Sequence, residues 1–162
     1  MAKSKHKKPA NLNPRIENRR ARHDYHILEK LETGIVLQGT EVKSIRLGQV
    51  SLAEGFARVD PRSGELYLHN VEIAPYPHAG INQHGPKQSR KLLAHKREID
   101  KLAGFSASKG TTLIPLAIYF VRGKAKLELG VAEGKKTHDK RQDIKKRDAD
   151  RDMRRAMTRK KI

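Results

Sequence analysis

Residues 111–134 read TTLIPLAIYFVRGKAKLELGVAEG, and this stretch decides the fold. Its halves, TTLIPLAIYFVRG and KAKLELGVAEG, read as two strands of a hairpin turning around Arg122–Lys124. The first is apolar throughout, which marks it as a central strand. Upstream, RKLLAHKREIDKLA (residues 90–103) reads as the clearest helix, with Leu92, Ile99, Leu102 and Ala103 as one apolar stripe and Gly104 as its end. HAGINQHGPKQSR before it is rich in Gly, Pro and Asn and reads as a loop. SLAEGFARVD and ELYLHNVEIAPY carry β-formers and are joined by PRSG (residues 61–64), a hairpin loop. TEVKSIRLG (residues 40–48) reads as a short helix capped by Thr40 and stopped by Gly48. YHILEKL and GIVLQG read as extended segments, with Gly34 between them as a turn or bulge. Regular structure is therefore expected from about Tyr25.

The sum is mainly β: about six short strands with two or three short helices in a domain of roughly 110 residues. Tight turns and an inserted helix suggest a small closed barrel of the oligonucleotide-binding type, though the spacing is equally compatible with a small sandwich. A chain of 162 residues fits one such domain.

The formal charge is +18, which favours a polyanionic partner; nucleic acid and an anionic membrane both qualify on charge alone. The charge sits at the ends. Residues 1–24 hold eight Lys/Arg against two acids, a net +6, and residues 135–162 hold thirteen against five, a net +8. The middle has fifteen against eleven, only +4. The expected organisation is a basic flexible arm (1–17), an RNA-binding barrel (18–133) and a basic tail (134–162).

No apolar run approaches the roughly 20 residues of a spanning helix. The opening MAKSKHKKP is followed by NLNPRIEN rather than an apolar stretch, so no signal peptide is read and a cytoplasmic location is expected. Zero cysteines remove disulfides, thiolate chemistry and cysteine-ligated zinc. The eight histidines are scattered; His23 and His26 beside Asp24 are read as surface residues, and no metal or other cofactor is expected. Glu29, Glu32 and Glu41 read as surface charges, and GFSASKG (residues 104–110) lacks the ending of a phosphate loop. No catalytic residue is assigned, so the chain reads as a binding protein. With seven aromatics, a stacking platform is not expected, and RNA binding should rest on Lys/Arg and on shape.

From Gly134 the tail has no Pro or further Gly and carries Arg147, Arg151, Arg155 and Arg159 at four-residue intervals. Asp143–Arg147 and Asp150–Arg154 would support a helix. Composition leaves two readings open, a solvated tail that aids solubility and a segment that is disordered alone and helical on a phosphate-rich surface.

Four strings occur in order: NRRARHDY (residues 18–25), LQGTEVKSIR (37–46), RKLLAHKREIDKL (90–102) and GVAEGKKTHDKR (130–141). Together they closely resemble the SsrA-binding protein family, also called small protein B, over nearly the whole chain. The resemblance implies an oligonucleotide-binding barrel without catalytic activity. It would bind the tRNA-like domain of transfer-messenger RNA and bring it to stalled ribosomes. It also implies a monomer whose tail becomes helical in the empty mRNA channel, contacting ribosomal RNA at the decoding centre. The residues matching RNA-binding positions are Asn18, Arg20, Arg22, Tyr25, Glu32, Leu93, His95 and Lys126. Leu93 lies beside the apolar stripe and Tyr25 also reads as a core residue, so a packing role stays open for both. Lys135, Lys136, His138, Asp139, Lys140 and Arg141 match the ribosome-directed start of the tail. A ribosomal protein or assembly factor binding ribosomal RNA is the alternative reading.

Overall fold

A computed structural model describes residues 13–159, without the side chains at 137, 138, 158 and 159. Most of the expected arm, 1–12, lies outside the described residues.

Eleven-residue strands dominate: β2 (Tyr25–Ile35), β8 (Thr111–Val121) and β9 (Lys124–Gly134). Shorter ones are β1 (Ile16–Glu17), β3 (Val50–Ser51), β4 (Phe56–Val59), β5 (Leu66–His69), β6 (Glu72–Ile73) and β7 (Arg90–Leu93). The helices are α1 (Arg19–Asp24), α2 (Gly39–Arg46), α3 (Lys96–Ala107) and α4 (Thr137–Arg159).

Hydrogen bonding runs β8-β4-β5-β7-β2-β9, and β9 pairs back onto β8, so six strands form a closed ring. Closure sets aside the sandwich. The β8–β9 hairpin turns on Arg122 and Gly123, both at positive φ (49° and 78°), as a two-residue turn matching the strand twist requires. Alternating Leu66 and Leu68 on β5 and Leu127, Leu129 and Val131 on β9 point inward. Each buried Leu contributes about 1.5–3 kcal/mol.

β8 is apolar throughout because it is covered on both faces. Leu113 and Ile118 face the ring interior, whereas Ile114 and Leu116 pack under Ala21 of α1. A bulge between Pro115 and Ala117 shifts the inward parity from odd to even positions.

Four expectations need correction. Residues 90–103 are not one helix: Arg90–Leu93 is strand β7, pairing with β5 and β2, and the helix begins at Lys96. Burial alternates in that strand, with Arg90 and Leu92 in and Leu93 out, and Gly104 lies inside α3 rather than at its end. Gly34 is not a turn; β2 runs straight through it. An added Cβ there would stand 3.2 Å from the Leu93 Cβ, so glycine permits the close approach of β7. α2 is capped by Gln38 instead of Thr40, with the Glu41 carboxylate accepting from the Gln38 amide at 2.7 Å. Its Gly48 stop, at φ 75°, is as expected. Regular structure begins at Ile16, because β1 pairs with β8 and Asn18 caps α1.

Candidate nucleic-acid interface

The exposed positions of β2 are His26, Leu28, Lys30 and Glu32, with a bulge at Leu28 separating His26 from the face that Lys30 and Glu32 share. Near the strand's end Gly34 pairs with Leu93 on β7 and with Lys126 on β9. This pairing brings three expected RNA-binding residues, Glu32, Leu93 and Lys126, onto one surface. Leu93 is half exposed and lines a shallow groove with Gly34, Leu37, Val42 and Ala125. Tyr119 donates its hydroxyl to Glu32 Oε2 at 2.5 Å, and Lys126 Nζ lies 3.4 Å from Oε1. The Tyr119 hydrogen bond first, and then Lys126, hold the Glu32 carboxyl below its ordinary range. Arg15 lies 4.8 Å over the Tyr119 ring and also pairs with Glu128. Glu32 is thus an ionised acceptor amid cations. It suits a base edge or a 2′-hydroxyl, while Lys126 and Arg15 suit phosphate. His95, two residues beyond Leu93, is exposed and is the N-cap of α3, where its amide donates to the Glu98 carboxylate at 2.9 Å.

The remaining expected residues gather at the opposite end of the β2–β9 ladder. Tyr25 pairs with Gly134 there, nine residues from Gly34, which is roughly 30 Å at ~3.3 Å per residue. Asn18 is buried. Its Nδ2 donates to the Leu52 and Pro115 carbonyls, both at 2.9 Å, and its Oδ1 accepts from the Ala21 amide at 3.0 Å. Both amide hydrogens are committed, so Asn18 orients α1 and leaves contact to its neighbours. Arg20 and Arg22 are exposed on that helix, Arg20 with Nε 3.3 Å from Asp24. Tyr25 packs against the small cluster beneath α1, the packing role left open for it.

The tail starts at this same end. The Lys135 amide donates to the Asp24 carbonyl at 2.9 Å, and its ammonium reaches the Arg22 carbonyl at 3.0 Å and Asp143 at 2.6 Å. Lys140 pairs with Asp24 at 3.0 Å and His26 with Asp139 at 3.7 Å. Asp24 is pulled down to about 2, first by the His23 hydrogen bond and then by Lys140. Of the expected tail contacts, Lys135, Asp139 and Lys140 dock the helix, while Lys136 and Arg141 are exposed. The His138 side chain lies outside the described residues. Farther out, Arg151 pairs with Asp148 and Arg155 with Asp152, at three-residue spacing.

Sequence reasoning missed Tyr119 and Arg15. Tyr119 was within reach: a two-residue turn at Arg122–Gly123 makes Tyr119 face Lys126 across the hairpin. It also misread Glu41, whose side chain is 1% exposed and ion-paired at 2.7 Å with an equally buried Arg90. Arg90 further donates to the carbonyls of Val71, Gln88 and Pro86, so this polar knot joins α2, β7 and the 85–90 loop. Among the described residues, no group of three His, Asp or Glu is placed to hold a metal, and no helix is long and apolar enough to cross a membrane.

Comparison with known proteins bears on this geometry. The family model described as SmpB protein matches residues 15–159. The chain belongs to the SmpB family. A relative named SsrA-binding protein, from Carboxydothermus hydrogenoformans, is 56% identical to this SmpB-family chain over 87% of it and 93% of the relative. Another of that name, from Latilactobacillus sakei subsp. sakei, is 50% identical over 97% of this chain and 98% of its own. A solved structure described as "tmRNA-SmpB: a journey to the center of the bacterial ribosome" is similar with a TM-score of 0.66 and 54% identity, covering 76% of this chain and 86% of that one.

Proposed function

We propose that this SmpB-family chain is a non-catalytic RNA-binding protein of trans-translation. It holds the tRNA-like domain of transfer-messenger RNA and delivers it to ribosomes stalled on broken messages. The observation that carries this reading is the juxtaposition of Glu32, Leu93 and Lys126 about Gly34, at the end of the β2–β9 ladder away from the tail. One end offers an acceptor, an apolar contact and a cation to a folded RNA. The other end projects a basic helix roughly 30 Å away toward the decoding centre and mRNA channel. The names carried by the relatives and by the similar solved structure support both halves of the assignment.

In this reading the body from residue 18 to 133 binds RNA as an oligonucleotide-binding-type barrel, and the tail from 134 is ordered against ribosomal RNA. The protein acts as a monomer in the cytoplasm. The test is reconstituted translation of a message lacking a stop codon, supplied with transfer-messenger RNA. The protein should permit addition of the degradation tag, and Lys126→Ala should reduce tagging when the protein is limiting. Equal association with ribosomes without transfer-messenger RNA, and no tagging, would favour a ribosomal protein or assembly factor.

A further inference from the structure

Phe56 and Tyr67 belong to neither apolar cluster of the fold. On β4 and β5, Ala57, Leu66 and Leu68 point inward, so Phe56, Arg58, Tyr67 and His69 share the outer face. Cross-strand register sets Phe56 opposite His69 and Arg58 opposite Tyr67. The Phe56 and His69 rings stack at 5.2 Å with 27° between their planes, and Tyr67 follows His69 at 6.5 Å. Phe56 remains 38% exposed, a large apolar ring left facing water.

The charges around this strip are asymmetric. Glu65 is occupied by Lys91 and the Tyr67 hydroxyl, and Asp60 by the Arg62 amide and the Ser63 hydroxyl. Arg58 acts on Asp60 only through its more distant charge. Neither guanidinium, that of Arg58 or that of Arg62, makes an ion pair within 4.0 Å among the described residues. Beyond Phe56 the surface continues into a cleft of about 400 Å³ that Arg20 also lines. A row of rings flanked by guanidinium groups free of carboxylate contact fits unpaired bases on a phosphate backbone. In the ring β4 lies three strands from β2 in either direction, on the side opposite Glu32.

We propose that the Phe56–His69–Tyr67 strip is a base-stacking site for unpaired nucleotides of a second RNA, bound independently of the RNA at the Glu32 end. The probes are fluorescein-labelled decaadenylate and decauridylate, titrated against the full chain by anisotropy at two salt concentrations. Phe56 faces outward, so its variants should fold, which circular dichroism checks. The chain has no tryptophan, so Phe56→Trp installs a single reporter on the strip. Its emission should be quenched saturably, and more by decaadenylate than by decauridylate. Phe56→Ala should weaken decaadenylate binding by about fivefold or more. The same variant should leave binding of the tRNA-like domain unchanged, whereas Glu32→Ala should do the reverse. Unquenched Trp emission at saturating RNA, or Phe56→Ala binding as tightly as the parent, would overturn the proposal whatever the Glu32 end does.

Discussion

Glu32 and Glu41 carry the same side chain and do opposite work. Glu41 is buried with Arg90, joined to it by one 2.7 Å hydrogen bond, so removing one partner strands a charge in the core. Arg90→Ala should therefore cost about 3–5 kcal/mol in urea denaturation, while replacing both residues by apolar ones of similar volume should cost much less. A loss under about 1 kcal/mol for Arg90→Ala would contradict the buried pairing. Glu32 stands in water with its pKa lowered by Tyr119 and then Lys126. Because the folded state holds the depressed value, its contribution to stability is complete above the ordinary carboxyl value of 4.5 and is lost as pH falls through the lower folded value. Tyr119→Phe should move the Glu32 titration back toward 4.5, read by carbon-13 NMR of the carboxyl; an unmoved titration would remove Tyr119 as the cause. The sequence separates these two glutamates poorly. Arg90 lies 49 residues from Glu41, and nothing local in TEVKSIRLG shows which carboxylate meets it.

At the level of elements, the strongest periodic signal misled by joining two neighbours. Leu92 falls seven residues before Ile99, a helical spacing, but it belongs to a strand whose inward residues alternate. The break at Ala94–His95 carries no Pro or Gly, and only the Glu98 cap marks where α3 starts. Gly104 then lies within the helix with open space around it, so Gly104→Ala should stabilise the chain by about 0.5–1 kcal/mol, visible as a melting point a few degrees higher. A lower melting point would mean that the glycine serves a purpose the helix does not show. The β8–β9 hairpin, by contrast, was readable because its turn and its apolar strand agree. The docking of α4 on α1 was not readable, since Lys135 and Lys140 look like any other tail lysines. It depends on Asp24, whose carboxyl is depressed to about 2, so the Lys140 pair persists through neutral and mildly acid pH and fails as pH falls toward that value. Without that carboxylate the first turn of the tail loses an anchor. Asp24→Asn should speed hydrogen exchange at the Lys135 amide, which donates to the Asp24 carbonyl, relative to amides of the β2–β9 ladder. Unchanged exchange there would show that the tail base is held without the carboxylate.

Over the whole molecule, a charge of +18 gives attraction to any RNA, and the ladder gives that attraction two separate ends. Short strands and tight turns made a mainly β domain legible but left barrel and sandwich open, and the return pairing of β9 onto β8 decided between them. The separation of the two ends was not legible, because it follows from the full pairing of β2 with β9. Attraction by charge alone weakens steeply with salt and hardly distinguishes one RNA from another. Recognition by Glu32, Leu93 and Lys126 should distinguish them. The most direct measurement is a gel-shift titration against transfer-messenger RNA at two salt concentrations, with bulk tRNA and ribosomal RNA fragments as competitors, for the parent and for Glu32→Ala. Binding that survives competition at both salts and weakens about tenfold in Glu32→Ala, the scale of a lost hydrogen bond to a charged group, is the expected result. Equal competition by every RNA, with Glu32→Ala binding like the parent, would contradict it.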